Sequence, residues 1–317
     1  LGSDHCPISM IITQAKPQRV MNDEDLAVIW RTIDWPKMEA ELQRKQQDLS
    51  YAAYNRKWDE VEKLQSELVR SWAARVLAVR AAANANSQAG IDGVHWKSNE
   101  EKAKAALTLT SRGYRPLPYR HTEVEESGKL RIIHVPAVRD KAMLTLYAYS
   151  LDPVSEATAD RKSFSARKGR SAFDAHAYLM HDLTGPYAPE WVVVVDVQSY
   201  YSSITHERLM NDIPMDKAML QKFLKAGVIR DGELFSTDRG ISLGTSLSPI
   251  LGNMLLDGLQ SYIYDRLYPA GGVDYLNGNT IRFADDIIIT ARSQEQASLI
   301  LDIACDFLGD RGLRMNQ

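Results

Sequence analysis

The chain has 317 residues, 44% of them hydrophobic and 25% charged, with a formal net charge of −3 at pH 7. That length holds two domains or one large one around an ample core, and no apolar run approaches the roughly 20 residues of a membrane span, so secretion and membrane insertion are not expected. The slight acidity excludes a surface coated in phosphate-binding cations, though not local basic patches.

Cys6 and Cys305 stand near opposite ends without disulfide or metal-ligand spacing, which fits a reducing, cytoplasmic setting. Leu1-Gly2-Ser3-Asp4-His5 reads as a cloning or read-through remnant with Met10 as the native start, so residues 1–21 are set aside as a tag remnant and flexible N-terminus.

Residues 22–88 carry a helical pattern. Asn22 precedes Leu26, Val28 and Ile29, and Asp34 is an N-cap candidate with Pro36 in the first turn. After Asn55, the stripe Trp58, Val61, Leu64, Leu68, Trp72, Val76 and Val79 predicts an amphipathic pair or small bundle. Its other face, with Lys57, Glu60, Lys63, Glu67, Arg70 and Arg75, is either a solvated face laced with i,i+4 pairs or a surface for RNA.

A linker is expected from Ala85 to Gly93, then a short helix from Asn99 to Leu107 and an extended stretch from Tyr114 to Arg120. Strand runs Thr122–Val124 and Leu130–Val135 flank the turn Glu125-Glu126-Ser127-Gly128. Lys129 and Arg131 share one face of the second arm, where they either clamp a triphosphate or decorate an ordinary exposed hairpin. An apolar helix over 137–157 leads to the basic loop containing Arg167, Lys168, Gly169 and Arg170, which opens a helix at Ala172 and suits a phosphate backbone.

Trp191 to Val195 is an apolar strand ending on Asp196. Helices are expected to about Ala226, a loop or short strand over Phe235–Arg239, and a Gly- and Ser-rich segment from Gly240 into a single helix, Ile250–Tyr264. In Thr280 to Thr290, β-branched arms enclose Ala284-Asp285-Asp286, which reads as a hairpin tip buried on both arms, followed by a helix over Gln294–Leu308. Buried carboxylates need neutralising, and three acids on two apolar strands suit Mg²⁺. The plain alternative is a hairpin turn beside a strand that happens to end in Asp.

The order of these pieces resembles the fingers and palm of a reverse transcriptase, most closely the group II intron-encoded reverse transcriptase/maturase family, over roughly residues 24–317. The resemblance implies an α+β fold of right-hand polymerase fingers and palm, with an antiparallel palm sheet packed on helices. A helical N-terminal extension is expected at 22–88, fingers at 89–185 and palm at 186–317, the chain ending before a thumb. Asp196, Asp285 and Asp286 would be catalytic, and with Val197 would form the metal-binding set for two Mg²⁺ ions, which Mn²⁺ can replace. Lys129, Arg131, Tyr201, Leu243 and Gly244 would bind the nucleotide, Tyr201 as a steric gate against ribose. Arg167, Lys168, Gly169, Arg170 and Phe283 would contact nucleic acid.

The family's Pro-Gln-Gly loop is Ser242-Leu243-Gly244 here, and Ile132 and His134 stand where its fingers hairpin carries Pro and Gly. The implied activity is RNA-directed DNA polymerisation, with group II intron RNA as template, a DNA primer, deoxynucleoside triphosphates as substrates and no membrane. The alternatives are a reverse transcriptase of a defence or CRISPR-associated system, and an RNA-binding splicing cofactor with weak polymerase activity.

Overall fold

The computed structural model describes residues 21–83, 88–126, 128–184, 186, 188–269 and 277–316. Residues 1–20, Ala85 to Ser87 of the expected linker and Ser127 in the expected turn lie outside them. The chain opens with helices α1 (Asp23–Arg31), α2 (Trp35–Tyr54), α3 (Trp58–Arg70), α4 (Trp72–Ala82) and α5 (Asn99–Thr108). Strands β1 (Tyr119–Glu126) and β2 (Lys129–Val135) follow, then α6 (Val138–Thr158), α7 (Ala172–Thr184) and β3 (Trp191–Val195). Three short helices come next: α8 (Tyr200–Ser203), α9 (His206–Asp212) and α10 (Lys217–Leu224). The remainder is β4 (Val228–Arg230), β5 (Glu233–Phe235), α11 (Ser248–Leu256), α12 (Leu259–Leu267), β6 (Thr280–Phe283), β7 (Asp286–Ala291) and α13 (Gln294–Gly309).

Local chemistry sets the helix starts. Asn22 and Asp25 form a reciprocal capping box, Asp34 accepts from the Lys37 N–H ahead of a helix with Pro36 in its first turn, and Ser98 and Glu101 form a second box. The stripe from Trp58 to Val79 is not one continuous helix. Ser71 takes an extended conformation (φ −67°, ψ 145°), and its hydroxyl caps α4 by accepting from the Ala74 N–H at 3.2 Å. The break frees α4 to bury Ala73, Ala74, Val76, Ala78 and Val79, which a straight continuation of the amphipathic α3 could not do.

Helices α2, α3 and α4 all pack on α6, and α1 packs on α5. Side chains from Leu26 to Leu313 belong to one continuous apolar core. Helix α6 is therefore the post on which the N-terminal helices stand.

The strands form two sheets. One has the order β2-β1-β4-β5, with β1 parallel to β4 and the other pairs antiparallel. The expected two-stranded hairpin thus gains a second pair of strands, each three residues long and too short to show alternation in sequence. The other sheet is antiparallel with order β3-β7-β6, and it buries Val193 and Val195 toward α13 while Val192 and Val194 face outward.

The single helix expected over Ile250–Tyr264 is two. Asp257 is extended and Gly258 takes φ 91°, a left-handed value that glycine adopts without strain. Elsewhere glycine serves contact: a Cβ on Gly90 would lie 2.4 Å from the Ala137 Cα, where the chain presses on the start of α6. Gly90→Ala is expected to lower stability by about 1–3 kcal/mol, as overpacking does, measured by chemical denaturation. An unchanged midpoint would mean that the two segments part without cost.

Candidate active site

The site lies where the three-stranded sheet ends. β3 pairs with β7 so that Val195 faces Ile287, and Asp196 follows at the end of β3 where Asp286 begins β7. β6 and β7 join through the two residues Ala284 and Asp285, with Phe283 opposite Asp286 and Ala284 at φ 57°. The arms are buried as expected, but the tip is open: Asp285 is half-buried, and Asp196 and Asp286 are exposed. The acids close a sheet edge facing solvent, so the desolvation argument applies to Asp285 alone. Its pKa is raised, first by burial and then by the neighbouring charges of Asp286 and Asp196.

Beneath the tip lies Arg282, 1% exposed. Its guanidinium donates to the Asn253 side-chain oxygen at 3.2 Å, to the Ala284 and Asn253 carbonyls at 3.4 Å, and to the Asp257 carboxylate. Its backbone exchanges hydrogen bonds with the Lys162 carbonyl (2.9 Å) and the Phe164 N–H (3.0 Å), and the Asn253 amide reaches the Ser165 carbonyl at 2.8 Å. One buried cation thus joins the acidic hairpin, the α11–α12 break and the loop at 162–165. Burial of Asp257 outweighs the attraction of Arg282 and pushes its carboxyl up to about 6.

Tyr201 lies on α8 against Gly252 of α11, where an added Cβ would stand 3.0 Å from its ring. Its hydroxyl pKa is raised by burial and then by the charge of Asp285, which ties the ring to the acidic tip. The carbonyl of Leu243 accepts from the His134 N–H at 2.8 Å, and Gly244 sits against Ile133 and His134. That contact ties the Gly- and Ser-rich loop to β2, the strand carrying Arg131 and Lys129; the Lys129 side chain lies outside the described residues. Val197 is buried behind Asp196, and Phe283 is 36% exposed at the hairpin flank.

The basic loop is not a row of free cations. Arg167, with its side chain 6% exposed, grips Glu156 in a two-point ion pair and donates to the Asp160 and Ser163 carbonyls. Arg170 donates to the Arg161 carbonyl at 2.6 Å and reaches Glu156 at 3.3 Å. Both arginines therefore brace the loop from inside, while Lys168, 75% exposed beside Asp152, points outward and Gly169 turns the chain at φ 71°.

Four contributors escaped the sequence reading. Arg282 stood in plain view as a charge inside an apolar strand, whereas Asn253 and Asp257 carried no local signal. Asn316 is further still: its amide donates to the Asp196 carboxylate at 2.6 Å and its N–H to the Asp196 carbonyl at 2.9 Å.

Among the described residues no three His, Cys, Asp or Glu side chains form a ready-made metal cluster. The donor set still fits a hard divalent cation, since Mg²⁺ takes one or two carboxylates and fills its remaining positions with water and substrate phosphates. Three acids at the rim of an antiparallel sheet, beside a tyrosine and a glycine-rich loop, form an open site suited to a hard cation and a phosphate-bearing ligand.

The chain matches the model of reverse transcriptase (RNA-dependent DNA polymerase) over residues 121–317 and that of the N-terminal domain of reverse transcriptase over residues 30–109. It belongs to the reverse transcriptase family, and its likeness is to the group II intron type. Protein YkfC of Escherichia coli (strain K12) is 27% identical over 62% of this chain and 55% of its own length. The group II intron-encoded protein LtrA of Lactococcus lactis subsp. cremoris is 27% identical over 52% of this chain and 28% of its own length. The chain spans 55% or less of the length of these two relatives. A solved partial Cas6-RT-Cas1--Cas2 complex is 18% identical, with a TM-score of 0.42 over 77% of this chain and 41% of that one.

Removing the buried guanidinium with Arg282→Met strands Asp257 and is expected to cost about 3–5 kcal/mol, read as a fall in denaturation midpoint. The folded pKa of Asp257 is raised above its unfolded value, so its contribution is fully present below pH 3.8, its ordinary value, and is lost as pH rises through about 6. Asp257→Asn should therefore flatten the stability profile across that window. A profile parallel to that of the unmodified chain would show that Asp257 is ionised throughout.

Proposed function

We propose that the chain copies RNA into DNA at the tip formed by Asp196, Asp285 and Asp286, as a cytoplasmic group II intron-type reverse transcriptase/maturase that also binds intron RNA for splicing and mobility. The β3–β7 register carries this reading, because it ends on Val195 opposite Ile287 and so leaves Asp196 and Asp286, the residues next outward, at the same open end of the sheet. Asp285 joins them electrostatically.

The reaction is in-line attack of a primer 3′-hydroxyl on the α-phosphorus of a deoxynucleoside triphosphate, with pyrophosphate leaving. Two Mg²⁺ ions, for which Mn²⁺ can substitute, would be held by the three acids with Val197 alongside, and would lower the pKa of the primer hydroxyl and offset triphosphate charge. The protein's own part is positioning. Asn316 holds Asp196, Arg282 holds the hairpin, and the Leu243–His134 contact places the loop against the strand of Lys129 and Arg131, the cations for the triphosphate. Tyr201, whose ring is backed by Gly252, acts in this reading as the steric gate against a ribose 2′-hydroxyl.

Primer extension on an RNA template with deoxynucleotides and Mg²⁺ tests the reading: the unmodified chain extends and the Asp285→Asn/Asp286→Asn form does not. Extension by both forms would place the chemistry elsewhere, and extension by neither would remove polymerisation from this chain's activities. Tyr201→Ala is expected to raise ribonucleotide incorporation relative to deoxynucleotide about 10- to 100-fold, the range for one altered pocket contact. An unchanged ratio in single-nucleotide assays would exclude Tyr201 as the gate.

A further inference from the structure

Beyond the acidic tip, the structure assigns a second ligand site to the same end of the sheet: a pocket that takes a polyphosphate oxyanion on Arg239 and Arg314. Its place beside Asp196 connects it to the nucleotide chemistry proposed above, so in that respect it rests on the polymerase reading.

The backbone sets the position. Residues 314–316 run antiparallel to 196–198, with Val197 bridged to Met315, the Gln198 N–H donating to the Arg314 carbonyl at 2.8 Å and the Asn316 N–H donating to the Asp196 carbonyl at 2.9 Å. Side chains alternate along paired strands, so Asp196, Gln198, Arg314 and Asn316 share one face while buried Val197 and half-buried Met315 share the other. Arg314 therefore stands one strand repeat, about 7 Å, along from Asn316, whose amide holds the Asp196 carboxylate.

On that face opens a cavity of about 620 Å³ lined by Gln198, Ser203, Arg239 and Arg314, with Gly309, Gly312 and Leu313 as its floor. Among the described residues, no carboxylate lines it. Neither arginine makes an ion pair or a side-chain hydrogen bond among the described residues, in contrast to Arg167, Arg170 and Arg282. The end of α13, which would repel an anion, is already quenched: the Leu308 carbonyl accepts from the N–H groups of Arg311 and Leu313, and the Gly309 carbonyl from that of Gly312.

Two uncommitted guanidinium groups in a cavity of ligand size match the planar two-point geometry of phosphate oxygens. The ligand class is a linear polyphosphate on its way out, such as released pyrophosphate, since the β,γ end of the reacting triphosphate belongs with Lys129 and Arg131. The pocket offers it a place to rest clear of the three acids, which would repel it.

The test is calorimetric titration of the whole chain with inorganic tripolyphosphate in EDTA, so that neither metal nor primer is needed and the result does not depend on whether the chain polymerises. Arg239→Gln/Arg314→Gln is expected to weaken binding about tenfold or more, with Arg→Lys at both positions retaining part of it. Both side chains are exposed, and an unchanged melting temperature confirms folding. Tripolyphosphate binding equal in the unmodified and Gln forms would overturn the site. It is equally overturned if the Gln form loses only primer–template binding, which would give the arginines to a nucleic-acid backbone.

Discussion

Burial of the Arg282 guanidinium is the constraint on which the rest of the site depends. A charge removed from water must find partners, and here they come from three segments distant in sequence: Asn253 and Asp257 at the end of α11, the Ala284 carbonyl in the hairpin, and through the backbone the loop at 162–165. Each partner is held because the cation would otherwise be unsatisfied. The break between α11 and α12 follows from the same demand, since Asp257 reaches Arg282 from an extended residue, with the left-handed Gly258 behind it. A hairpin loop of two residues could not by itself hold two adjacent carboxylates still; anchored from below, it can.

Above this brace the electrostatics reverse. Asp285 feels both neighbouring acids and is partly desolvated, so its charged form is disfavoured in the protein alone. Asp196 and Asp286 remain solvated, which keeps their repulsion tolerable and leaves room for cation and substrate to enter together. Asn316 supplies a neutral donor to Asp196, orienting the carboxylate without neutralising it. Beyond Asn316 the same strand pair presents Arg314, so negative and positive groups follow one another along a single face.

The N-terminal helices reach this centre chiefly through α6, with Gln65 of α3 also donating directly to the Pro214 carbonyl at 2.9 Å. They pack on α6 from one side, and on the other Thr145 of α6 meets Ser246 of the Gly- and Ser-rich loop at 3.2 Å, while Leu243 in that loop meets β2. The β1–β2 hairpin is further joined to the body by the parallel β1–β4 pair, whose β4 and β5 follow directly on the helices after β3. The N-terminal helices and both sheets therefore share one core, and a change in α2 or α4 can act on the loop beside the tip through α6.

Local chemistry in the chain determined a good deal. Asn22, Asp34 and Ser98 mark helix starts because their side chains satisfy backbone N–H groups within three residues, and the β-branched arms around Ala284-Asp285-Asp286 read as strands for the same short-range reason. Chemistry and order pointed to the three acids as a set, and the structure brings them to one end of the three-stranded sheet. What the sequence could not disclose were relations that exist only once distant segments meet. Arg167 and Arg170 read as cations for a phosphate backbone, yet Glu156 and nearby carbonyls turn them inward. The role of Arg282 depends on Asp257, 25 residues away, and that of Asn316 on Asp196, 120 residues away. Periodicity records which face is apolar, whereas the partner of a buried charge, and the openness of the tip above it, are decided by how sheets and helices close around one another.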